Sequence, residues 1–112
     1  MSAAIRRAVM ERAEGYCEYC RIHFEITVMK HHVEHIQARQ HGGSDELDNL
    51  AFACHHCNEY KGPNLTGIDP ETNKLSRLFH PRRDRWDDHF EVQLGHVIGI
   101  SVVGRKRPNY SR

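Results

Sequence analysis

The 112-residue sequence predicts a small α+β domain: an N-terminal helix, two antiparallel strands followed directly by a second helix, and extra strands toward the C-terminus. Three observations predict it. Residues 3–14 place Ile5, Ala8, Val9 and Ala13 at helical spacing; segments 24–36 and 50–53 are rich in apolar and β-branched residues; good helix formers at 55–61 run into Gly62-Pro63, where a helix stops. A chain this short buries only about two thirds of the surface that its unfolded form exposes. One domain over residues 1–104 is therefore expected, with a flexible basic tail over 105–112.

The first helix has Ser2 as its candidate N-cap and Gly15 as its stop, and it leaves Arg6, Arg7 and Arg12 on the face away from the apolar stripe. A solvated helix face accounts for these arginines, with phosphate contact as the alternative. Residues 24–36, FEITVMKHHVEHI, favour a strand by their β-branched content. The stretch 37–49 carries Gly42-Gly43 and a Ser, Asp, Glu and Asn cluster, which predicts a loop, and Leu50–Ala53 then reads as the partner strand. Beyond Gly62, the phrase TGIDPETN predicts an irregular connection; Leu78–His80, Phe90–Leu94 and His96–Val103 are strand candidates, the last two paired through Gly95.

Hydrophobic residues make up 38% and charged residues 28%, the composition of a folded, soluble domain. The longest nearly apolar run, Val97–Gly104, is far below the roughly 18 to 20 residues that cross a bilayer, so no membrane partner is expected and a cytoplasmic location is. Net charge is +1 but uneven, −4 over residues 1–73 and +5 over 74–112. Acidic groups near the centre suit a divalent cation and a basic last third suits a polyanion backbone, although ordinary solubilising charge explains the asymmetry equally well.

Cys17, Cys20, Cys54 and Cys57 form two C-x2-C pairs with 33 residues between them. In a reducing compartment such pairs favour a metal over disulfides, and four thiolates satisfy tetrahedral Zn²⁺ completely. A closed shell leaves no open position for water or substrate, so this zinc is expected to be structural. His55 and His56, between the second pair, are the weaker alternative ligands.

Glu34-His35-Ile36, Gly42-Gly43, Asp48-Asn49-Leu50, Cys57-Asn58 and Lys61-Gly62, with the flanking cysteine pairs, resemble the HNH endonuclease family over residues 17–62. The phrase KGPNLTGIDPE beyond them resembles a subset of small bacterial stand-alone members. The resemblance implies the ββα-metal (His-Me finger) fold around one catalytic divalent ion. It also implies a general base at His35, metal ligation by Glu34 and Asn58, and a structural role for Asn49, whose amide pins the loop that orients His35.

The chemistry fits these residue types. Phosphodiester hydrolysis needs a water relieved of its proton, a cation on the phosphate and help for the leaving oxygen. An imidazole titrates near neutrality and can take the proton, and Glu34 and Asn58 supply the hard oxygen donors that Mg²⁺ or Mn²⁺ prefers. Neighbours on a regular strand point to opposite faces, so sharing of one site by Glu34 and His35 predicts that the strand ends or bulges there. The sequence departs from the common pattern at Glu34, where Asp is more frequent, at Ala38, where Pro is frequent, and at Asn58, where other members have His.

Arg39, Lys61, Arg82, Arg83 and Arg85 are the candidate nucleic-acid contacts, with Trp86 as a stacking residue or a core one. The expected function is metal-dependent hydrolysis of DNA, nicking or cutting it, with double-stranded DNA as the expected partner and two copies acting together as a homodimer if both strands are cut. The alternatives are an RNA-cleaving nuclease and a non-catalytic zinc module that binds nucleic acid through Arg82, Arg83, Arg85 and the basic run 105–107.

Overall fold

The computed structural model describes residues 1–106. Helix α1 spans Ala3–Arg12, and the Ser2 side chain caps it by accepting from the Ile5 amide at 3.2 Å. It ends through Glu14 and Gly15, both at positive φ. Strands β1, His32–His35, and β2, Leu50–Ala53, pair antiparallel in the register His32↔Ala53 to His35↔Leu50, and helix α2, His55–Lys61, follows at once.

Residues opposite one another across a ladder share a face, so Val33 and His35 lie with Leu50 and Phe52, while His32 and Glu34 lie with Ala51 and Ala53. The first face meets α1: Val9, Leu50 and Phe52 form a core joined by Ile5, Met10, Ala13 and Val33. Arg12 is not a free phosphate-seeking arginine, because its guanidinium donates to the Leu47 carbonyl at 2.8 Å and also to that of Leu50, tying the end of α1 to the start of β2.

The strand expected over 24–36 is present only at its end. Phe24–Ile26 form a 3-10 turn capped by the His23 ring, and the Thr27 hydroxyl donates to the Phe24 and Met29 carbonyls at 3.0 and 2.9 Å. Local side-chain hydrogen bonds thus outcompete β propensity there.

Where a single domain is expected over 1–104, internal contacts group the chain into two compact units, Met1–Pro63 and the part from Asn64 onward. In the second unit, strands β3, Thr66–Ile68, and β4, Leu75–Arg77, make a hairpin where the sequence suggests an irregular connection, and the strand expected at Leu78–His80 does not form. The strands are too short to show alternation, and the turn is built by Asp69, which accepts from the Glu71 amide at 3.1 Å and the Thr72 hydroxyl at 2.9 Å. A short helix α3, Trp86–His89, leads into the hairpin of β5, Phe90–Gln93, and β6, His96–Gly99, which turns at Leu94 and Gly95 with φ of 49° and 80°. Trp86 is a core residue: its ring packs 5.3 Å from that of Phe90, which also meets Phe79 at 5.0 Å.

The flexible tail cannot begin at 105. Arg105 donates from Nε and Nη2 to the two oxygens of Asp69 at 3.1 and 2.9 Å, and Asp69 is fully buried. Its carboxyl is held well below the usual range, chiefly by that guanidinium. Lys106 is also buried, its ammonium on the Val102 carbonyl; residues 107–112, the rest of the expected tail, lie outside the described part. No helix among the described residues is long and apolar enough to cross a membrane.

Candidate active site

The four cysteines converge. Their Sγ atoms lie within 4.8 Å of one another and all four residues are buried, an arrangement able to hold a metal ion. Each pair is a tight turn whose first sulfur accepts backbone amides: Cys17 Sγ from Tyr19 and Cys20 at 3.4 Å, and Cys54 Sγ from Cys57 at 3.5 Å. Such bonds favour the thiolate that a metal requires. Burial pushes the Cys17 thiol up, while hydrogen bonds from its neighbours, Cys17 first, hold Cys20 and Cys54 down. Cys54 is in addition the N-cap of α2, so the cluster fixes where that helix starts.

One residue inside the first turn reaches further. The Tyr19 hydroxyl donates to Glu34 Oε1, and both residues are buried. Burial raises the Glu34 carboxyl from its usual 4.5 to about 7, against the opposing pull of Lys61 and the Tyr19 hydrogen bond. Lys61, expected at the surface against phosphate, is 7% exposed, and its ammonium donates to the carbonyls of His35 at 3.2 Å and Gly62 at 3.3 Å. A lysine stem long enough to fold back under the hairpin meets two orphan carbonyls there, so its role is internal. Asn58 stands three positions before it on α2, hence on the same side of the helix, and is half-buried.

His35 is the last residue of β1, so the strand does end there, but pairing stays regular through Glu34↔Ala51 and His35↔Leu50, with no bulge. The two side chains consequently leave opposite faces. The His35 Nε2 lies 2.7 Å from Asp45 Oδ1, and Arg39 donates to that same oxygen from Nε at 3.0 Å and Nη2 at 2.9 Å. His35 first and Arg39 second hold the Asp45 carboxyl low.

The loop carrying Arg39 and Asp45 is pinned by Asn49. Its Oδ1 accepts from the Gln37 amide at 2.9 Å, and its Nδ2 donates to the carbonyls of Gln37 at 3.0 Å and Ser44 at 2.7 Å. Gly43 permits the tight approach, since a Cβ there would sit 1.8 Å from the Gln37 carbonyl oxygen.

The HNH endonuclease family model matches residues 17–64. Over that stretch the chain is similar to HNH endonucleases. No curated protein and no solved structure matches the chain. The matched stretch holds all four cysteines, both strands of the first hairpin and α2, and lies within the first unit apart from its last residue.

Within the matched stretch, Glu34 and Lys61 are brought together with Tyr19, and His35 and Arg39 with Asp45. Arg82, Arg83 and Arg85 belong to the second unit, Arg82 half-buried and the other two exposed. His55 does not join the cysteines: it contacts His32 at 3.5 Å and Glu59 at 3.2 Å. Sequence reasoning missed Tyr19 and Asp45. An aromatic between the two cysteines of a C-x2-C pair and an acid two residues past a Gly-Gly pair are the signals, and both are common enough to be passed over.

Proposed function

We propose that this protein is a metal-dependent endonuclease that hydrolyses phosphodiester bonds of double-stranded DNA, with His35 as the general base and a structural zinc in the cysteine cluster. The observation that supports the reading is the HNH match over the stretch that holds the cysteine cluster, His35 at the end of β1 and the loop pinned by Asn49.

Four thiolates at this spacing fit Zn²⁺ by donor chemistry and leave no place for substrate. Glu34 and Asn58 fit a hard divalent cation, Mg²⁺ or Mn²⁺, through a carboxylate and an amide oxygen. When bound, such an ion supplies positive charge to the scissile phosphate and the departing oxygen. The residues of the chain do the rest. Tyr19 fixes one oxygen of Glu34 and leaves the other for ligation; Asn49 and Gly43 set the loop; and His35 takes the proton of the attacking water as that oxygen bonds to phosphorus and the ester oxygen leaves. A phosphate seated where β1 ends is reached from both faces of the strand, so opposite orientation of Glu34 and His35 is no obstacle there.

The non-catalytic alternative loses part of its proposed surface, because Arg105 is engaged by Asp69 and Lys106 is buried. Supercoiled plasmid incubated with the zinc-loaded protein and Mg²⁺, Mn²⁺ or Ni²⁺ is expected to be nicked or linearised, and His35→Ala to abolish cutting while retaining zinc and helix content. Absence of cleavage of DNA and RNA alike, or a His35→Ala variant as active as the parent, overturns the reading; cleavage of RNA alone reassigns the substrate.

A further inference from the structure

We propose that Asp45 is the positioning residue of the general base: it accepts the Nε2 proton of His35 and thereby presents the Nδ1 lone pair to the water. The inference rests on the nuclease reading for its catalytic meaning, but not for its structural content.

The logic is one of hydrogen-bond inventory. An ionised carboxylate has only acceptors, so at 2.7 Å from Asp45 Oδ1 the His35 Nε2 must carry the hydrogen. In the neutral imidazole the remaining nitrogen, Nδ1, then holds the lone pair that a base needs. Neutral imidazole has two tautomers of similar energy, and a base that spends half its time in the wrong one is idle for that half. A fixed acceptor removes the idle form, as the buried aspartate does in the Ser-His-Asp arrangement.

Arg39 makes the device compatible with a polyanionic substrate. A lone carboxylate beside the scissile phosphate repels it, but Arg39 binds Asp45 Oδ1 through two nitrogens and cancels the charge of the resting pair. When His35 takes the water proton, the imidazolium lies against the carboxylate and the trio becomes net positive while the phosphorus centre gains negative charge. The proton passes from water oxygen to Nδ1, and the Nε2 hydrogen stays where it is.

The loop is built to hold this geometry. Arg39 and Asp45 flank Gly43, which has no room for a side chain, and the Asn49 amide ties both sides of that turn. Asp45 is itself 60% exposed. Its removal is therefore expected to cost about 10- to 100-fold in kcat, well short of the roughly 10⁴-fold lost with a buried triad aspartate.

The test uses the full, zinc-loaded chain. Nitrogen-15 NMR of the histidine rings at a pH where His35 is neutral is expected to report the Nε2–H tautomer for His35. In Asp45→Ala, which leaves Nε2 without that acceptor, the ring should populate both tautomers. In plasmid cleavage, Asp45→Ala should lower kcat by 10- to 100-fold with KM changed less than twofold, and Asp45→Glu should restore part of the loss. An Nδ1–H ring in the parent protein, or an Asp45→Ala variant in which tautomer and kcat are unchanged or KM alone rises, overturns the proposal. The tautomer is read without cleavage, so its outcome is separable from failure of the nuclease assignment.

Discussion

The two faces of β1 put neighbouring residues into contrasting surroundings. Glu34 is buried beside Tyr19, and burial raises its carboxyl; His35, one position on at the end of β1, is half-buried and meets Asp45, which Arg39 also binds. A desolvated carboxyl resists ionising until a cation compensates it, whereas an imidazole with an ionised acceptor at one nitrogen keeps its hydrogen there. One four-residue strand thereby gives two adjacent residues contrasting surroundings.

The comparison breaks most completely if the buried face loses its anchor. Cys57→Ser, or extraction of the metal by a strong chelator, should unfold the first unit, because structural zinc of this kind contributes on the order of 10 kcal/mol. Release of one zinc per chain, read with a chromogenic chelator as helix content falls, checks this. Loss of zinc with no change in melting temperature refutes it.

A smaller effect follows from the Glu34 proton. Its carboxyl rises from 4.5 to about 7 on folding, so between those values the unfolded chain is the one that has released the proton. Stability is fully present below about pH 4.5, and falls as pH rises toward 7, by about 3 kcal/mol. Denaturant titrations without added Mg²⁺ or Mn²⁺ should show this slope, and Glu34→Gln should flatten it. An equal slope in the variant would place the burden elsewhere.

The smallest expected effect sharpens the contrast instead of abolishing it. Tyr19→Phe removes one buried hydrogen bond to Glu34 and should cost about 1–2 kcal/mol, with zinc content unchanged. It should also weaken the dependence of cleavage on Mn²⁺ concentration less than Glu34→Gln does. A Tyr19→Phe protein as stable as the parent would show that the contact adds nothing.

Much of the first unit was legible in the sequence because its signals are local. Ser2 and Gly15 bracket α1, Leu50–Ala53 is a strand from end to end, and α2 stops at Gly62 as expected. The cysteine spacing announced a cluster that the fold closes. Longer-range physics hid the rest. Nothing local reveals that Lys61 turns inward to two carbonyls, that Asp69 builds a hairpin turn and then receives Arg105, or that Thr27 diverts a β-rich run into a turn. Asp45 was invisible for a related reason: its significance lies in a ring nitrogen ten positions away, which no periodicity encodes.

The Asp69–Arg105 contact also fixes where this chain tolerates manipulation. A truncation after Gly104 would strip the guanidinium from a carboxylate with no exposed surface and leave a bare negative charge inside the β3–β4 hairpin turn. An affinity tag or fluorophore joined beyond Lys106 keeps that charge neutralised, which makes residue 106 the practical boundary for building fusions and reporters on this scaffold.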